Sequence, residues 1–591
     1  MSVAVAALGA MVLLPLVEAA ARKLVGVGIP GSSVFVRHLT LWVAFLGASL
    51  AAREGKLLAL ATGELFKQSR LVGPARSLAN AVAAGATVLL ARAALDLTIL
   101  ERGAGTVLPL SVPVWVALSV LPVSFALIAG RLVWQSAKGW LGRIPAVIGL
   151  STGLVIGQFP QILEGRAAWP GLALILIGTL AGGPIFAALG GTAVLLFLAE
   201  GVPAAAVPAE TYRLAVSPTL PAIPLFTLAG FLLAQGDASK RLLRVFHAFF
   251  GWLPGGTAVV VAVLCAFFTV FTGGSGVTIL ALGGLLFMAM QRDGYRENFS
   301  LGLLTASGSL GLLFAPALPL ILYGIVAEIP IRDLFVGGLV PGVLMLALVA
   351  GWGVWEGWRR GGERHRFGWR ETGAALWNAK WEIAIPFLVL GAIFSGLATL
   401  VEVSAMTAFY AFVVQCFVHR DLGVRQDLFR VSGECIVLLG GVLIILGVAM
   451  GLTNYFVDAQ IPDRMLAWAK DSIASPLVFL LALNIFLLLV GCLMDIFSAI
   501  VVVVPLIVPM GLAFGVDPIH LGIIFVANLE LGYLTPPVGL NLFLASYRFE
   551  RPLLQIWRAA IPMLVILGIG VLLITYVPSL TLGLLELVGR Q

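Results

Sequence analysis

The sequence predicts an all-α polytopic membrane protein, and its composition and its apolar runs are the observations behind that prediction. Of the 591 residues, 60% are hydrophobic and only 11% are charged, and the mean hydropathy is +1.07. Soluble domains carry about 25% charged residues. Apolar runs long enough to cross a bilayer as a helix recur along the chain. They do not alternate polar and apolar residues, as the strands of an outer-membrane barrel would.

Charge, cysteine content and motifs exclude several classes of function. The net charge of +7 is small for this length, so no nucleic-acid partner is expected. The four cysteines lie inside apolar stretches without a CxxC pair, which indicates neither a disulfide framework nor a zinc site. The chain has no GxxxxGK[ST] motif, so uphill transport would need an ion gradient or a partner.

Four spans are expected in the first part of the chain, at about residues 3–20, 39–52, 79–100 and 112–134. The first run lacks the basic start and small-residue cleavage site of a signal peptide, so we expect it to be retained. The loop at 53–76 is rich in Lys and Arg. This bias predicts that the loop lies in the cytoplasm, as a helix on the membrane surface.

A fifth apolar run, 144–163, follows a short basic link. We therefore predict three parts: a small four-helix domain at 1–136, a connector with an extra transmembrane helix at 137–168, and a large domain at 169–591. In the large domain, Gly and Pro stand inside the apolar runs rather than between them.

Two basic stretches, 358–380 and 419–430, orient the large domain. The segment between them, 383–418, is long enough for two short helices that turn near 396–402. Both basic stretches can then lie in the cytoplasm, where loops rich in Lys and Arg are normally found.

An internal repeat runs through the large domain. At a shift of 221 residues, four helix-breaking residues coincide without a gap: Gly294 with Gly515, Gly311 with Gly532, Pro316 with Pro537, and Pro341 with Pro562. Each copy predicts an interrupted helix, a turn with glycine, a second interrupted helix and a final span that begins at a proline. Chance coincidence in a chain with 68 glycines is the alternative, and four matches in one order argue against it.

The interruptions fall in two pairs. The first pair is FTGGSGVT (271–278) with GLLFAPAL (311–318), and the second is LLVGCLMD (488–495) with LELGYLTPPVGLN (529–541). A broken helix inside a membrane leaves backbone groups without hydrogen bonds, which is costly unless the break lines a cavity or binds an ion. Corresponding breaks in the two halves of a transporter therefore point to its binding site.

The polar groups at the breaks are suited to bind a cation and an anionic substrate. Freed carbonyl groups and the hydroxyls of Thr272, Ser275 and Thr535 suit a hard monovalent cation such as Na⁺, and half-helix N-termini suit an anionic substrate group. The alternative is that the glycines only allow close helix packing, which is the better explanation for an isolated Gly-Gly pair. The Thr-Pro-Pro run after a glycine, in register with a second Gly and Pro break, favours a binding site.

These residues resemble those of a known family, the tripartite ATP-independent periplasmic (TRAP) transporters. The segment FVRHLTLWVAFLGASLAAREGK (35–56) resembles the small membrane subunit of such a system. Five further stretches resemble the large membrane subunit: GSGVTILALGGLLFMAM, TASGSLGLLFAPALPLILYGIVA, GLATLVEVSA, LLLVGCLMD and NLELGYLTPPVGLNLFLAS. The chain is thus similar to a fusion of the small and large subunits, a QM-type permease.

The resemblance implies a Na⁺-coupled secondary transporter of the bacterial inner membrane. Such proteins take up a carboxylate, such as sialic acid or a dicarboxylate, by symport, and they depend on a separate periplasmic substrate-binding protein. Their large subunit has two inverted repeats with helical hairpins and works as an elevator, while the small subunit braces the scaffold. The expected partners are therefore the binding protein, a small organic acid and the lipid bilayer, with Na⁺ as the coupling ion.

Carried over residue by residue, the resemblance implies two Na⁺ sites and a substrate cavity, and no catalytic residue. The first Na⁺ site comprises Thr272, Ser275, Gly311, Phe314 and Ala315. The second comprises Gly491, Gly532, Thr535 and Val538. Candidates for the substrate cavity are Gly274, Pro316, Asp495, Pro536, Pro537 and Asn541.

The chain departs from the family pattern in two segments. FAPA (314–317) stands where the family has IPPS, so Ala315 replaces a proline and Ala317 replaces a serine. Backbone coordination can survive that change, whereas the substrate contacts there are expected to differ. Leu57 stands where the small subunit commonly has a histidine, and this weakens only the local match.

Ionisable residues at membrane depth are candidates for a site. Asp495 is expected to shape the second hairpin or its polar network. Glu530, where the family carries an apolar residue, either adds negative charge near a cation site or pairs with a basic neighbour. Glu402 is expected to serve the scaffold, and Arg92 and Asp96 are spaced as an i,i+4 ion pair.

Two alternative functions would each leave different features in the sequence. A carrier that works without a binding protein would lack the extra four-helix domain. An intramembrane enzyme would need His, Asp, Glu or Ser clustered for acid–base or nucleophilic chemistry, and the scattered histidines and isolated acids do not supply such a cluster. The identity of the carboxylate, the Na⁺ stoichiometry, a role for H⁺ and the oligomeric state are left open by the sequence.

Overall fold

The computed structural model describes residues 1–59, 72–137, 139–360, 368–396, 398–473, 475–536 and 539–589. In these residues the regular secondary structure is helical. Twelve of the described helices are long and apolar enough to cross a membrane, or up to fourteen if each of two bent helix pairs forms one span. This confirms the prediction of an all-α polytopic membrane protein.

The chain folds into two units. The first comprises Met1–Pro224, Ser432–Arg464 and Val501–Pro505, and the second comprises Leu225–Val431, Met465–Ile500 and Leu506–Gln591. Each unit is assembled from segments that are far apart in the sequence.

The first unit begins with the expected spans. Helices α1 to α6 run over Ser2–Leu24, Ser32–Glu54, Val72–Ala104, Val114–Leu118, Val120–Ser136 and Trp140–Gln158. The four early spans correspond to α1, α2, α3 and the pair α4 and α5, and α6 is the connector helix. The surface helix expected at 53–76 lies largely in residues 60–71, which are outside the described residues.

The connector helix lies earlier in the chain than expected, since it begins at Trp140 rather than at residue 144 and ends at Gln158 rather than near residue 163. Pro160 begins a short 3-10 turn after it, and the residue before a proline disfavours the helical conformation. The helix packs closely along α3. A Cβ on Gly149 would lie 2.1 Å from the carbonyl oxygen of Ala81, so only glycine allows this approach of the two backbones.

Three shorter helices complete this part of the chain. They are α7 to α9, over Trp169–Leu180, Ile185–Ala199 and Ala206–Ala215. In the same unit, Arg92 and Asp96 on α3 form the expected ion pair, with 3.1 Å between Nη2 and Oδ1.

The first repeat follows a bent helix pair, α10 (Ala222–Gln235) and α11 (Ala238–Phe250). Its five helices, α12 to α16, run over Gly256–Thr272, Ser275–Arg292, Glu297–Ser307, Leu318–Val326 and Ile331–Arg360.

Five helices separate the two repeats. They are α17 to α21, over Trp369–Asn378, Lys380–Phe394, Leu400–Val413, Asp427–Asp458 and Ile461–Ser472. Helices α18 and α19 are the two short helices expected between residues 383 and 418. A capping box begins α19: the Thr399 amide donates to Glu402 Oε2 at 2.7 Å, and the Glu402 amide donates to Thr399 Oγ1 at 3.3 Å. Glu402 thus caps α19, and the scaffold role expected from the sequence stays a prediction.

The second repeat has the same elements in the same order. Helices α22 to α26 run over Pro476–Leu493, Ile496–Ala513, Pro518–Gly532, Leu540–Phe549 and Leu553–Tyr576, and α27 (Ser579–Val588) follows. The second helix of each repeat begins at Ser275 and Ile496, which matches the sequence shift. The turn glycines Gly294 and Gly515 both have a φ of 76°, a conformation that glycine adopts without strain.

One detail of the repeat was wrong. The final span of each copy was expected to begin at its proline, but Pro341 and Pro562 lie inside helices that begin at Ile331 and Leu553. Proline is tolerated inside a transmembrane helix because local distortion and neighbouring groups satisfy the freed backbone.

Candidate ion and substrate site

The first break lies between α12 and α13. Helix α12 ends at Thr272 and α13 begins at Ser275, with Gly273 in the left-handed region at a φ of 68°. A Cβ on Gly273 would lie 2.1 Å from a side-chain carbon of Leu318, at the start of α15. The break therefore needs glycine for both its conformation and its contact with the second interruption of the same repeat.

Three threonine hydroxyls gather at this break. Thr269 Oγ1 lies 2.7 Å from Thr278 Oγ1 and 2.8 Å from the carbonyl oxygen of Gly308. Thr272 Oγ1 lies 3.3 Å from Thr278 Oγ1, and all three side chains are buried. Sequence reasoning named Thr272 and missed Thr269 and Thr278. Their spacing of one helical turn from Thr272 and from Ser275 is the signal that could have identified them.

The other residues of the first predicted Na⁺ site lie around this cluster. Ser275 is buried at the start of α13. Gly311 packs on the backbone of α12, where a Cβ would lie 2.4 Å from the carbonyl oxygen of Ala266. The Phe314 carbonyl accepts a hydrogen bond from the Ala317 amide at 2.8 Å. Residues from both interruptions are therefore brought together at the end of α12.

The remaining candidates of the first repeat differ in their exposure. Gly274 and Ala315 are half-buried, while Pro316 is buried and follows a cis peptide bond. The Phe314 ring packs against Gly342 of α16, where a Cβ would lie 3.0 Å from the ring. Any contribution of Phe314 to an ion site would thus come from its backbone.

The second break lies between α22 and α23, and Asp495 caps it. Asp495 Oδ1 accepts hydrogen bonds from the amides of Phe497 at 3.0 Å and Ser498 at 3.1 Å. Its Oδ2 accepts a further bond from the Ser498 hydroxyl at 2.5 Å. Asp495 therefore shapes the second hairpin, because it satisfies the free amides at the start of α23.

The two interruptions of the second repeat touch through their backbones. A Cβ on Gly532 would lie 2.6 Å from the Cα of Gly491. The Gly539 amide donates to the Cys492 carbonyl at 3.1 Å. These contacts bring together the ends of α22 and α24, which carry the second predicted Na⁺ site.

Tyr533 strengthens this contact. The sequence analysis did not identify it as a site residue. Its hydroxyl oxygen accepts a hydrogen bond from the Ile496 amide at 2.7 Å, which links the end of α24 to the start of α23. The tyrosine directly follows Gly532 in the motif LELGYLTPP, and its position in that motif was the available signal.

Thr535 follows in the same turn. Its hydroxyl donates to the Leu531 carbonyl at 3.0 Å, so the lone pairs of its oxygen stay free to bind a cation. Thr535 and Pro536 are half-buried. Pro537 and Val538 lie outside the described residues, so their predicted roles stay predictions.

Asn541 links the two repeats. Its Nδ2 donates to the carbonyl of Thr305 on α14 at 3.2 Å, and α25 packs against α13 and α14. The Asn541 Oδ1 and the nearby Ser307 hydroxyl are buried and have no hydrogen-bond partner among the described residues. They are polar groups that a bound solute could satisfy.

The oxygen atoms at both breaks suit Na⁺. They come mainly from hydroxyl and carbonyl groups, which are hard ligands. The described part of the chain holds no group of three or more His, Cys, Asp or Glu residues that could bind a metal ion. The helices α12 and α22 also end at the breaks, and a helix C-terminus carries partial negative charge.

Two matching sets of broken helices in a helical membrane protein are typical of transporters. Two family models match the chain: "Tripartite ATP-independent periplasmic transporter, DctM component" over residues 172–580, and the DctQ component of the same transporters over residues 11–142. The chain belongs to the TRAP transporter family, with both membrane components fused in one polypeptide.

Relatives of known name agree with this assignment. The chain is 35% identical over 490 residues to the isethionate TRAP transporter permease protein DctMQ of Oleidesulfovibrio alaskensis, which covers 80% of this chain and 75% of the relative. It is 33% identical to the C4-dicarboxylate TRAP transporter large permease protein DctM of Pseudomonas aeruginosa, covering 68% and 94%. It is 29% identical to the ectoine permease TeaC of Halomonas elongata, covering 63% and 87%. The chain is thus a multi-pass transporter permease of the bacterial inner membrane and not an enzyme.

Proposed function

We propose that this permease takes up a small organic acid together with Na⁺ and receives the acid from a separate periplasmic binding protein. The observation that carries the proposal is the matched pair of broken helices, each with oxygen ligands and a helix C-terminus at the break. The names of two relatives, isethionate and C4-dicarboxylate permeases, support a small organic acid as the solute.

In the first Na⁺ site, the hydroxyls of Thr272 and Ser275 act with backbone carbonyls near Gly311. Thr269 and Thr278 hold the Thr272 side chain in place through the hydroxyl cluster, with 2.7 Å and 3.3 Å between the oxygen atoms. Because neutral oxygen ligands bind Na⁺ only when they are held close together, this cluster preorganises the site.

In the second Na⁺ site, Thr535 acts with carbonyl groups at the Gly491 and Gly532 contact. The close approach of the two backbones, where a Cβ would lie 2.6 Å from a Cα, leaves room for carbonyl ligands but not for a side chain. Na⁺ at this contact would stabilise the junction of α22 and α24.

The substrate acid binds between the two breaks in this proposal. Asn541 and Ser307 offer the buried polar atoms that lack partners, and the N-termini of α13 and α23 offer partial positive charge. The part that carries both ion sites then moves across the membrane as an elevator, braced by the DctQ-like part. Coupling arises because ions and substrate favour the same conformations, which is a difference in affinity between states.

The decisive experiment is reconstitution in liposomes with the cognate binding protein. Uptake of an organic acid is expected to require both an inward Na⁺ gradient and the binding protein. Uptake that proceeds without Na⁺ would contradict the ion coupling. Uptake that proceeds without the binding protein would instead support a carrier that works alone.

A matched pair of double variants tests the assigned sites. Ser275→Ala with Thr535→Ala is expected to raise the Na⁺ concentration for half-maximal uptake. The control is Ser404→Ala with Thr407→Ala on α19, which removes one serine and one threonine hydroxyl that bond only to their own helix in the described structure. An unchanged Na⁺ dependence in the first variant would count against these sites.

A further inference from the structure

A cavity of about 310 Å³ in the first unit has no role in the proposed transport cycle. It lies where α3, the connector helix α6 and the loop after α8 come together. Three of its lining residues are charged, namely Arg92, Asp96 and Glu164, and the others are apolar or glycine. The volume is sufficient for a small polar group, and ionisable residues within transmembrane segments are candidates for a binding site.

The ion pair of Arg92 and Asp96 leaves one hydrogen-bond donor unused. Arg92 Nη2 lies 3.1 Å from Asp96 Oδ1, and the two side chains are 37% and 41% exposed. The Arg92 Nε is buried and has no hydrogen-bond partner among the described residues. A guanidinium group presents its donors as a planar fork that matches the oxygens of a phosphate group. Arg92 can therefore bind a phosphate group while it stays paired with Asp96.

Glu164 supplies a second negative charge to the cavity. It lies in the turn after the connector helix, and a Cβ on Gly201 would lie 3.1 Å from its Oε1. The lining thus has one positive and two negative side chains, and this balance disfavours a ligand that is only anionic. It favours a zwitterion whose phosphate group meets Arg92 and whose ammonium group meets the two acids.

The cavity lies at the level of the lipid headgroups. The connector helix has 19 residues, which gives a length of about 28 Å, close to the hydrocarbon thickness of about 30 Å. Its last residues, Gly157 among them, therefore lie at the edge of the hydrocarbon layer. A Cβ on Gly157 would lie 3.2 Å from the Arg92 side chain, so Arg92 lies at this edge as well.

The surroundings of the cavity also suit a lipid. Leu154 precedes Gly157 by one turn on the same face of α6, and its side chain is 49% exposed, so it offers an apolar surface to an acyl chain. The cavity is lined by the second half of α3. Because the basic loop before α3 is expected in the cytoplasm, this half of the helix lies in the outer leaflet.

We propose that this cavity binds the headgroup of phosphatidylethanolamine from the outer leaflet. The Arg92 guanidinium donates hydrogen bonds to the phosphate group, and the lipid ammonium group donates to the carboxylates of Asp96 and Glu164. Phosphatidylcholine has the same charges, but its trimethylammonium group has no N–H to donate. Phosphatidylglycerol has no cation for the two acids. The bound lipid thus bridges α3, the connector and the loop after α8.

The test is native mass spectrometry of the delipidated full-length permease, titrated with these three lipids carrying identical acyl chains. The wild type should bind its first phosphatidylethanolamine about tenfold more tightly than either other lipid, because charge-assisted hydrogen bonds distinguish the headgroups. Arg92→Gln should lose most of this preference. Arg213→Gln is the matched control and should keep it, since Arg213 also pairs with an acid on its own helix, Glu210, but is not among the residues that line the cavity.

Glu164→Gln is a second variant for the case that Arg92→Gln does not fold. Glu164 is exposed, and its substitution leaves the pair of Arg92 and Asp96 in place. It should weaken the binding of phosphatidylethanolamine about tenfold and leave the binding of phosphatidylcholine unchanged. A wild-type lipid preference in these variants would overturn the proposal, because the lipid would then bind elsewhere.

The choice of lipid is tested by the wild type itself. Equal affinities for phosphatidylethanolamine and phosphatidylcholine would overturn the role of the ammonium group, and tighter binding of phosphatidylglycerol would show that the site selects anions. Displacement of the lipid by an equal concentration of soluble glycerophosphoethanolamine would overturn the membrane as the source of the ligand.

Discussion

The backbones of Gly491 and Gly532 meet with no side chain between them. A Cβ on Gly491 would lie 3.1 Å from the Cα of Gly532, and a Cβ on Gly532 would lie 2.6 Å from the Cα of Gly491. This contact joins the break after α22 to the end of α24. The nearest atoms that a Cβ on Gly532 would meet are backbone atoms of Gly491 and Cys492, which cannot rotate away as a flexible side chain can.

Gly532→Ala is therefore expected to disrupt the second break. The added methyl group forces α22 and α24 apart, which should cost about 1–3 kcal/mol of stability and abolish most Na⁺-dependent uptake. Thermal unfolding and proteoliposome uptake measure the two effects. The control is Gly568→Ala on α26, whose Cβ would meet only a Leu531 methyl at 3.9 Å. Normal uptake by Gly532→Ala would contradict the importance of this contact.

The hydroxyl cluster at the first break gives a second prediction. Thr278→Val keeps the shape of the side chain but removes the oxygen that lies 2.7 Å from Thr269 Oγ1. The half-maximal Na⁺ concentration for uptake should rise about tenfold, with a loss of stability of about 1 kcal/mol. Thr407→Val is the control, because its hydroxyl bonds to the Val403 carbonyl within α19. Equal Na⁺ dependence in the two variants would exclude the cluster from the ion site.

A buried ionic cluster in the second unit gives a third prediction. Arg241 on α11 binds Glu382 on α18 at 2.6 Å and Asp421 at 2.7 Å. The three side chains are 11%, 0% and 11% exposed. Removal of Arg241 would leave two acids without their main partner, so Arg241→Gln should cost about 3–5 kcal/mol. Denaturation of the purified permease measures this loss.

The matched control for Arg241 is an ion pair at the surface. Arg213 lies 2.6 Å from Glu210, but its side chain is 67% exposed. Because solvent screens such pairs, Arg213→Gln should change stability by less than about 1 kcal/mol. Similar losses for the two arginine variants would show that burial does not strengthen the Arg241 cluster.

Asp421, which lies in the loop before α20, gives a prediction on pH. Burial by itself raises the pKa of its carboxyl, but hydrogen bonds from Arg241 and from the Asp237 amide outweigh burial and hold the pKa below its ordinary value of 3.8. The ionised carboxylate therefore stabilises the fold fully above pH 3.8, and this contribution is lost as the pH falls through the lower pKa of the folded state.

The pH prediction is tested with Asp421→Asn. The variant should unfold at a lower temperature than the wild type at neutral pH, and the difference should shrink on acidification to about pH 3. A difference that stays constant down to that pH would mean that the charge of Asp421 does not stabilise the fold.

Much of the fold was predictable because its signals are local. The spans follow from apolar runs, and the breaks follow from Gly and Pro at matching positions, as with Gly311 and Gly532. Helix ends were less certain, since the connector stops at Gln158 and the last helix of each repeat begins before its proline. There, local backbone preferences and packing outweigh hydropathy.

The site was only partly predictable. Thr272 and Asp495 stand at the breaks and were identified in the sequence, where a Gly-Gly pair and a hydrophobic run that ends in Asp mark them. Thr269, Thr278 and Tyr533 stand within or directly after helices, where their spacing is a weak signal, and their distances to other segments establish that they meet at the breaks.

By itself, the sequence determined that this protein is a helical membrane protein with a repeated pattern of broken helices, because hydropathy and helix breaking are properties of neighbouring residues. The tertiary structure decided which atoms meet at the breaks. Gly491 and Gly532 touch across 41 positions of the chain, and Glu530 is buried without a described partner. Such contacts depend on how helices pack in three dimensions, and no local pattern encodes them.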